Sequence, residues 1–149
     1  MAYHVNIFLG QSIQGPAVQK GAYGYFMECL NLKGNIIKTR EKYFVTRGTR
    51  YRLELLAAIA ALQELKPVDV SIYMDVEHVA TCVQKGWVQE WSRNGWMTKN
   101  RTPVKNQELW QQLEELLARM PSVEGFYVME HEYSLRMFNE MGWRLDEYV

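Results

Sequence analysis

Residues 50–67 read Arg50-Tyr51-Arg52-Leu53-Glu54-Leu55-Leu56-Ala57-Ala58-Ile59-Ala60-Ala61-Leu62-Gln63-Glu64-Leu65-Lys66-Pro67. The leucines and Ile59 are interleaved with alanines, so a helix over this stretch is apolar on most of its sides. Such a helix must be buried against a sheet. Lys66-Pro67 ends it, because proline cannot continue the hydrogen-bond ladder.

On its C-terminal side, Val68 to Met74 reads as a strand and Glu77 to Lys85 as a short helix. Asn106 to Met120 is amphipathic, with Leu109, Trp110, Leu113, Leu116 and Leu117 on one side, and Pro121 stops it. Val123 to Met129 is a further strand. Ser134 is placed to cap a last helix carrying Leu135, Phe138, Met141 and Leu145 at helical spacing. On the N-terminal side, Tyr3 to Leu9 is a short strand followed by a loop through Gly15-Pro16. Ala22 to Leu30 and Ile36 to Val45 are aromatic and β-branched runs joined by Lys33-Gly34-Asn35, an antiparallel hairpin. The order, three strands, a helix, a strand, helices, a strand and a closing helix, predicts an α/β layout with a mixed sheet.

The chain has 149 residues, a size that suits one domain, and neither repeats nor a composition break divides residues 1–149. Cys29 and Cys82 form no metal-ligand spacing and read as buried small hydrophobes. No N-terminal apolar run has signal-peptide or transmembrane length, so a reduced, cytoplasmic protein without membrane attachment is expected. Net charge is +0, but its distribution is uneven. Residues 28–53 carry seven Lys/Arg against two Asp/Glu, and residues 85–106 carry five against Glu90 alone. Residues 54–84 and 107–149 are acidic. These blocks fit a phosphate-binding surface beside a soluble back, or simply solvated faces.

The segments Arg52 to Ile59 and Ile72-Tyr73-Met74-Asp75 resemble the type 1 ribonuclease H family. Trp87, Trp91 and Trp96, then Thr98, Pro103-Val104-Lys105-Asn106 and Leu109-Trp110, resemble bacterial members that carry a basic protrusion. The resemblance covers essentially the whole chain. It implies a ribonuclease H-like fold whose five-stranded mixed sheet has the order 3-2-1-4-5, flanked by helices.

Family members cut the RNA strand of an RNA/DNA hybrid with two divalent ions held by a carboxylate cluster. Two ions roughly 4 Å apart activate water and stabilise the leaving oxygen, and their charge must be balanced by several carboxylates and the scissile phosphate. Glu54 matches the family's central-helix Glu, and Asp75 the Asp at the end of the fourth strand. The first-strand Asp falls on Gly10, within a stretch of 27 residues that has no Asp or Glu at all. The last carboxylate falls on Asn139, with Glu140 next to it, and the family's loop His falls on His131 in altered surroundings.

Glu54 and Asp75 alone imply a weak site for Mg²⁺ or Mn²⁺, so hydrolysis is expected to be lost or strongly impaired. On this reading Gly10→Asp should recover some cleavage. The competing reading of the pair is retention by descent, with Glu54 exposed on its helix.

Binding rests on other residues. The resemblance assigns the DNA strand to the protrusion, here Trp87, Trp91, Lys99, Arg101 and Lys105, where cations neutralise phosphates and rings pack on sugars or bases. Trp96 and Trp110 read as core. The RNA side falls on Thr49, Arg50 and Tyr51, where an Arg-Tyr pair replaces the family's paired Asn and suits a less discriminating contact. The leading expectation is a ribonuclease H-like protein that binds RNA/DNA hybrid or a related nucleic acid without efficient hydrolysis. The alternatives are an active hybrid endoribonuclease with unusual ligands, and a non-catalytic scaffold that binds a protein partner.

Overall fold

A computed structural model describes residues 2–147. The strands β1 (His4–Gln11), β2 (Gln19–Leu30) and β3 (Ile36–Gly48) form an antiparallel meander. Helix α1 (Arg50–Gln63) then leads to β4 (Asp69–Met74), which pairs parallel with β1. After α2 (Glu77–Gln84), α3 (Trp87–Arg93) and α4 (Gln107–Ala118), β5 (Val123–Tyr127) adds parallel to β4, and α5 (Ser134–Asp146) closes the chain. The sheet order is β3-β2-β1-β4-β5, as the resemblance implies. Among the described residues, no helix is long and apolar enough to cross a membrane.

Alternation along β1 divides the molecule into two layers. Val5, Ile7 and Leu9 join a core with Leu55, Leu62, Ile72, Trp110 and Leu113, under α1, α2 and α4. Phe8 faces the other way, into a smaller core with Ala22, Phe26, Tyr43, Met137 and Met141 beneath α5. Helix α1 is buried through Leu53, Glu54, Leu55, Ala57, Ala58, Ile59, Ala61 and Leu62. Thr49 caps it: its Oγ1 accepts from the Arg52 amide at 3.1 Å. The helix ends at Gln63, before Lys66-Pro67, because Glu64 and Leu65 close it with tighter bonds to Ala61 and Leu62.

Three details of the last segment differ from the sequence reading. β5 stops at Tyr127, with the Val128 amide still bonded to the Met74 carbonyl at 2.8 Å. Ser134 is the first helical residue of α5 rather than its cap, and its Oγ accepts from the His131 amide at 2.8 Å. The buried face of α5 carries Met137 and Met141, while Leu135 and Phe138 are 72% and 71% exposed. Leucine and phenylalanine spacing fits helical periodicity equally well on either face. The sheet surface beneath, already carrying Phe8 and Phe26, accommodates the two flexible thioethers.

Candidate functional site

Glu54 and Asp75 meet at the seam between the first turns of α1 and the end of β4. Glu54 is fully buried, not exposed on its helix. Its Oε2 accepts from the backbone amides of Asp75 and Val76, each at 2.8 Å, and its Oε1 is buried without a hydrogen-bond partner. Burial, with the neighbouring Asp75 charge second, pushes the Glu54 carboxyl up to about 7, against the opposing pull of the two amides and Arg50. Asp75 is bound by Arg50: one guanidinium nitrogen, Nη2, donates to Asp75 Oδ1 at 2.7 Å and to the Asp75 carbonyl at 2.7 Å. Burial raises the Asp75 carboxyl, and Arg50 works against that rise.

Gly10 lies on the α5 side of β1, opposite Gly24 of β2. A Cβ placed there would stand 2.9 Å from Met137 Cε and 3.3 Å from Met141 Cε. The position that the family resemblance assigns to a carboxylate is thus roofed by two methionines. An Asp at this position would first have to push aside the flexible methyl ends of these methionines. Asn139 lies two residues from each methionine, about 160° round the helix, and is exposed. Glu140 is half-buried.

His131 stacks obliquely on Phe8 with ring centroids 4.6 Å apart, and its Nδ1 accepts from the Tyr133 amide at 3.1 Å. Burial lowers its pKa. The loop that carries it is anchored by Tyr133, whose ring stacks on Phe26 at 3.9 Å and whose hydroxyl donates to the buried Glu28. Asn6 Nδ2 donates to the other Glu28 oxygen at 3.0 Å.

The donor set does not fit two divalent ions. Mg²⁺ and Mn²⁺ require several oxygens in an open shell. Here one Glu54 oxygen is committed to backbone amides, one Asp75 oxygen to a guanidinium, and Gly10 offers none. Among the described residues, no three His, Cys, Asp or Glu side chains gather where they could hold a metal ion.

The groove beside this pair has a volume of about 1310 Å³. One wall is the β1–β2 loop, with Gly15, Pro16 and Val18, and the floor is the stretch from Gly48 to Arg52 with Val76 and His78. The opposite wall is Trp91 with Thr98 and the run from Thr102 to Asn106. An adjoining hollow of about 600 Å³ is lined by His78, Trp87, Trp91 and Lys99 among others. Thr49, Arg50, Tyr51, Trp91 and Lys105 therefore share one groove, with Trp87 and Lys99 in its extension. Arg101 lies outside both linings, in the exposed protrusion.

That protrusion holds its shape through local bonds. Thr98 N donates to Thr102 O at 2.8 Å, Val104 N to Trp96 O at 3.1 Å, and Trp96, Arg101 and Asn106 take left-handed backbone conformations. Trp87, Trp91 and Trp96 are half-buried against the core, and the first two also line the groove or its extension, whereas Trp110 is fully buried. Arg52 ties the floor to α4 through Asn106 Oδ1 at 2.9 Å and Glu108 Oε1 at 2.7 Å. That tie and the inward turn of Arg50 leave no signal in the sequence. The basic character of residues 50–52 was visible, but not which carboxylates they would find.

The sequence pattern of the RNase H family matches residues 5–145. The chain belongs to the RNase H family. It is 44% identical over 70 residues to a ribonuclease H of Prosthecochloris aestuarii, covering 46% of this chain and 48% of that protein. With a ribonuclease H of Brucella anthropi it shares 50% identity over 85 residues, 56% of this chain and 53% of that protein. The chain thus spans about half the length of the curated relatives it matches. In fold it is similar to LC9-RNase H1, described as a type 1 RNase H with the type 2 active-site motif, with a TM-score of 0.75, 20% identity, and coverage of 97% of this chain and 74% of that one. It is also similar to LC11-RNase H1 in complex with RNA/DNA hybrid, with a TM-score of 0.62, 18% identity, and coverage of 97% and 98%.

Proposed function

We propose that this RNase H-family chain binds RNA/DNA hybrid or a related nucleic acid along the groove between residues 48–52 and the protrusion, and that two-metal hydrolysis of RNA is lost or strongly impaired. The observation that carries the reading is the state of the carboxylates: Asp75 is held by Arg50, Glu54 by backbone amides, and methionines fill the space over Gly10. The groove keeps what phosphate binding requires, namely Lys99 and Lys105 beside Trp87 and Trp91, with Thr49 at its floor. Arg101 adds an exposed cation at the protrusion. On this reading the chain acts as a single cytoplasmic domain, and a divalent ion plays at most a weak part at Glu54 and Asp75.

Hybrid binding measured between 50 and 200 mM salt tests the proposal. Neutralising roughly three phosphates predicts an affinity loss of about 40-fold across that range. A salt-insensitive interaction, or none, would favour a protein-binding scaffold instead. The identity to proteins named ribonuclease H, 44% over 70 residues in one case, favours a second reading in which the retained Glu54–Asp75 pair supports slow cleavage. Metal-dependent cutting that disappears in Glu54→Gln would establish it.

A further inference from the structure

We infer that Arg50 is the resident cation of the Glu54–Asp75 pair: its guanidinium takes the place of a divalent ion and lets the groove accept a nucleic-acid backbone without metal. The metal-independent binding rests on the function proposed above; the counter-ion role of Arg50 does not.

Arg50 Nη2 reaches both a carboxylate oxygen and the carbonyl of Asp75 at 2.7 Å, so the charge is fixed by two acceptors on one residue. A guanidinium stays protonated throughout the physiological range, which makes it a permanent counter-charge. Behind Asp75 lies a second carboxylate, Glu54, fully buried and with Oε1 unpartnered. Two adjacent carboxylates, one of them with an orphaned oxygen, call for a compensating cation. Arg50 is bonded to Asp75, and its charge also acts through space on Glu54. It is also the first residue of α1 and lines the groove, with its side chain 32% exposed. A divalent ion approaching Asp75 would have to displace this guanidinium, and like-charge repulsion opposes their sharing the site.

The test is a Mn²⁺ titration of the whole chain followed by thermal melting and by electron paramagnetic resonance of the free ion. It compares wild type, Arg50→Ala, Arg50→Gln and Arg50→Ala combined with Asp75→Asn. The wild type should neither bind Mn²⁺ at micromolar levels nor change its melting point. Arg50→Ala and Arg50→Gln should melt lower in chelator and gain about 3–5 °C at Mn²⁺ tenfold above its Kd. The gain should vanish once Asp75→Asn is added.

Wild type binding Mn²⁺ as well as the variants do, or variants that gain nothing, would overturn the inference. If Arg50→Ala fails to fold in chelator, the wild-type titration and Arg50→Gln decide. A parallel measurement of hybrid affinity in chelator and in Mg²⁺ should give the same value for wild type, and a tenfold loss in chelator would contradict metal-independent binding. No hybrid binding in either buffer would remove the proposed function, while the Mn²⁺ arms would still decide the role of Arg50.

Discussion

Asp75 and Arg50 are joined twice through a single nitrogen, with Arg50 Nη2 2.7 Å from Asp75 Oδ1 and 2.7 Å from its carbonyl oxygen. The carboxylate that follows β4 therefore faces a fixed organic cation. Since the pair is about one-third exposed on each side, its direct contribution to stability is modest, and its main effect is on which ions can approach.

Gly10→Asp should be destabilising and should not restore cleavage. The new Cβ would meet only the flexible methyl end of Met137, at 2.9 Å, so the cost comes from placing a carboxylate in an apolar layer. A loss of about 2–4 kcal/mol in urea unfolding is expected, partly relieved by adding Met137→Ala. A fully stable Gly10→Asp protein that cuts hybrid would refute the packing account.

The pH dependence follows from Glu54. Its folded carboxyl lies near 7 against 4.5 for the unfolded chain, so the folded state binds the extra proton between these values. Stability contributed by this group is therefore highest at low pH, falls as pH rises from about 4.5 to 7, and is level above that. Glu54→Gln abolishes the titration, and its stability relative to wild type should improve by about 2–3 kcal/mol between pH 5 and pH 8. Denaturant unfolding at both pH values measures the difference.

Tyr133→Phe should loosen the His131 loop. The change deletes the hydroxyl that donates to Glu28, a carboxylate only 5% exposed that would keep just the Asn6 amide among its side-chain donors. A cost of about 1–3 kcal/mol is expected, with faster amide exchange across 128–134. An unchanged exchange pattern would mean the aromatic stacking alone holds the loop.

Lys99→Ala with Lys105→Ala tests the protrusion without disturbing its tryptophans, which support the core. Hybrid affinity should fall at low salt, and the slope of log K against log salt should become shallower by roughly 1.5–2. An unchanged slope would place the phosphates elsewhere.

Much of the architecture was legible because it is written in periodicity. The all-round apolar run from Leu53 to Leu62 could only be a covered helix, and the strand patterns of β1, β4 and β5 needed only registration. It was equally plain that Gly10 and Asn139 carry no anionic oxygen. Packing and pairing were not legible. Nothing local in the sequence indicates that Met137 and Met141, rather than Leu135 and Phe138, turn towards the sheet. Nor does it say that Arg50 turns to Asp75 while Arg52, two residues on, reaches Asn106 and Glu108. Those outcomes depend on which partners the tertiary fold brings within reach.

Time-resolved fluorescence anisotropy of an end-labelled RNA/DNA hybrid with the purified protein, in Mg²⁺ and then in Mn²⁺, separates binding from cutting. Binding without hydrolysis gives a rise on mixing that holds steady in both ions. A rise that decays as the labelled strand is cut, and that no longer decays in Glu54→Gln, would contradict it.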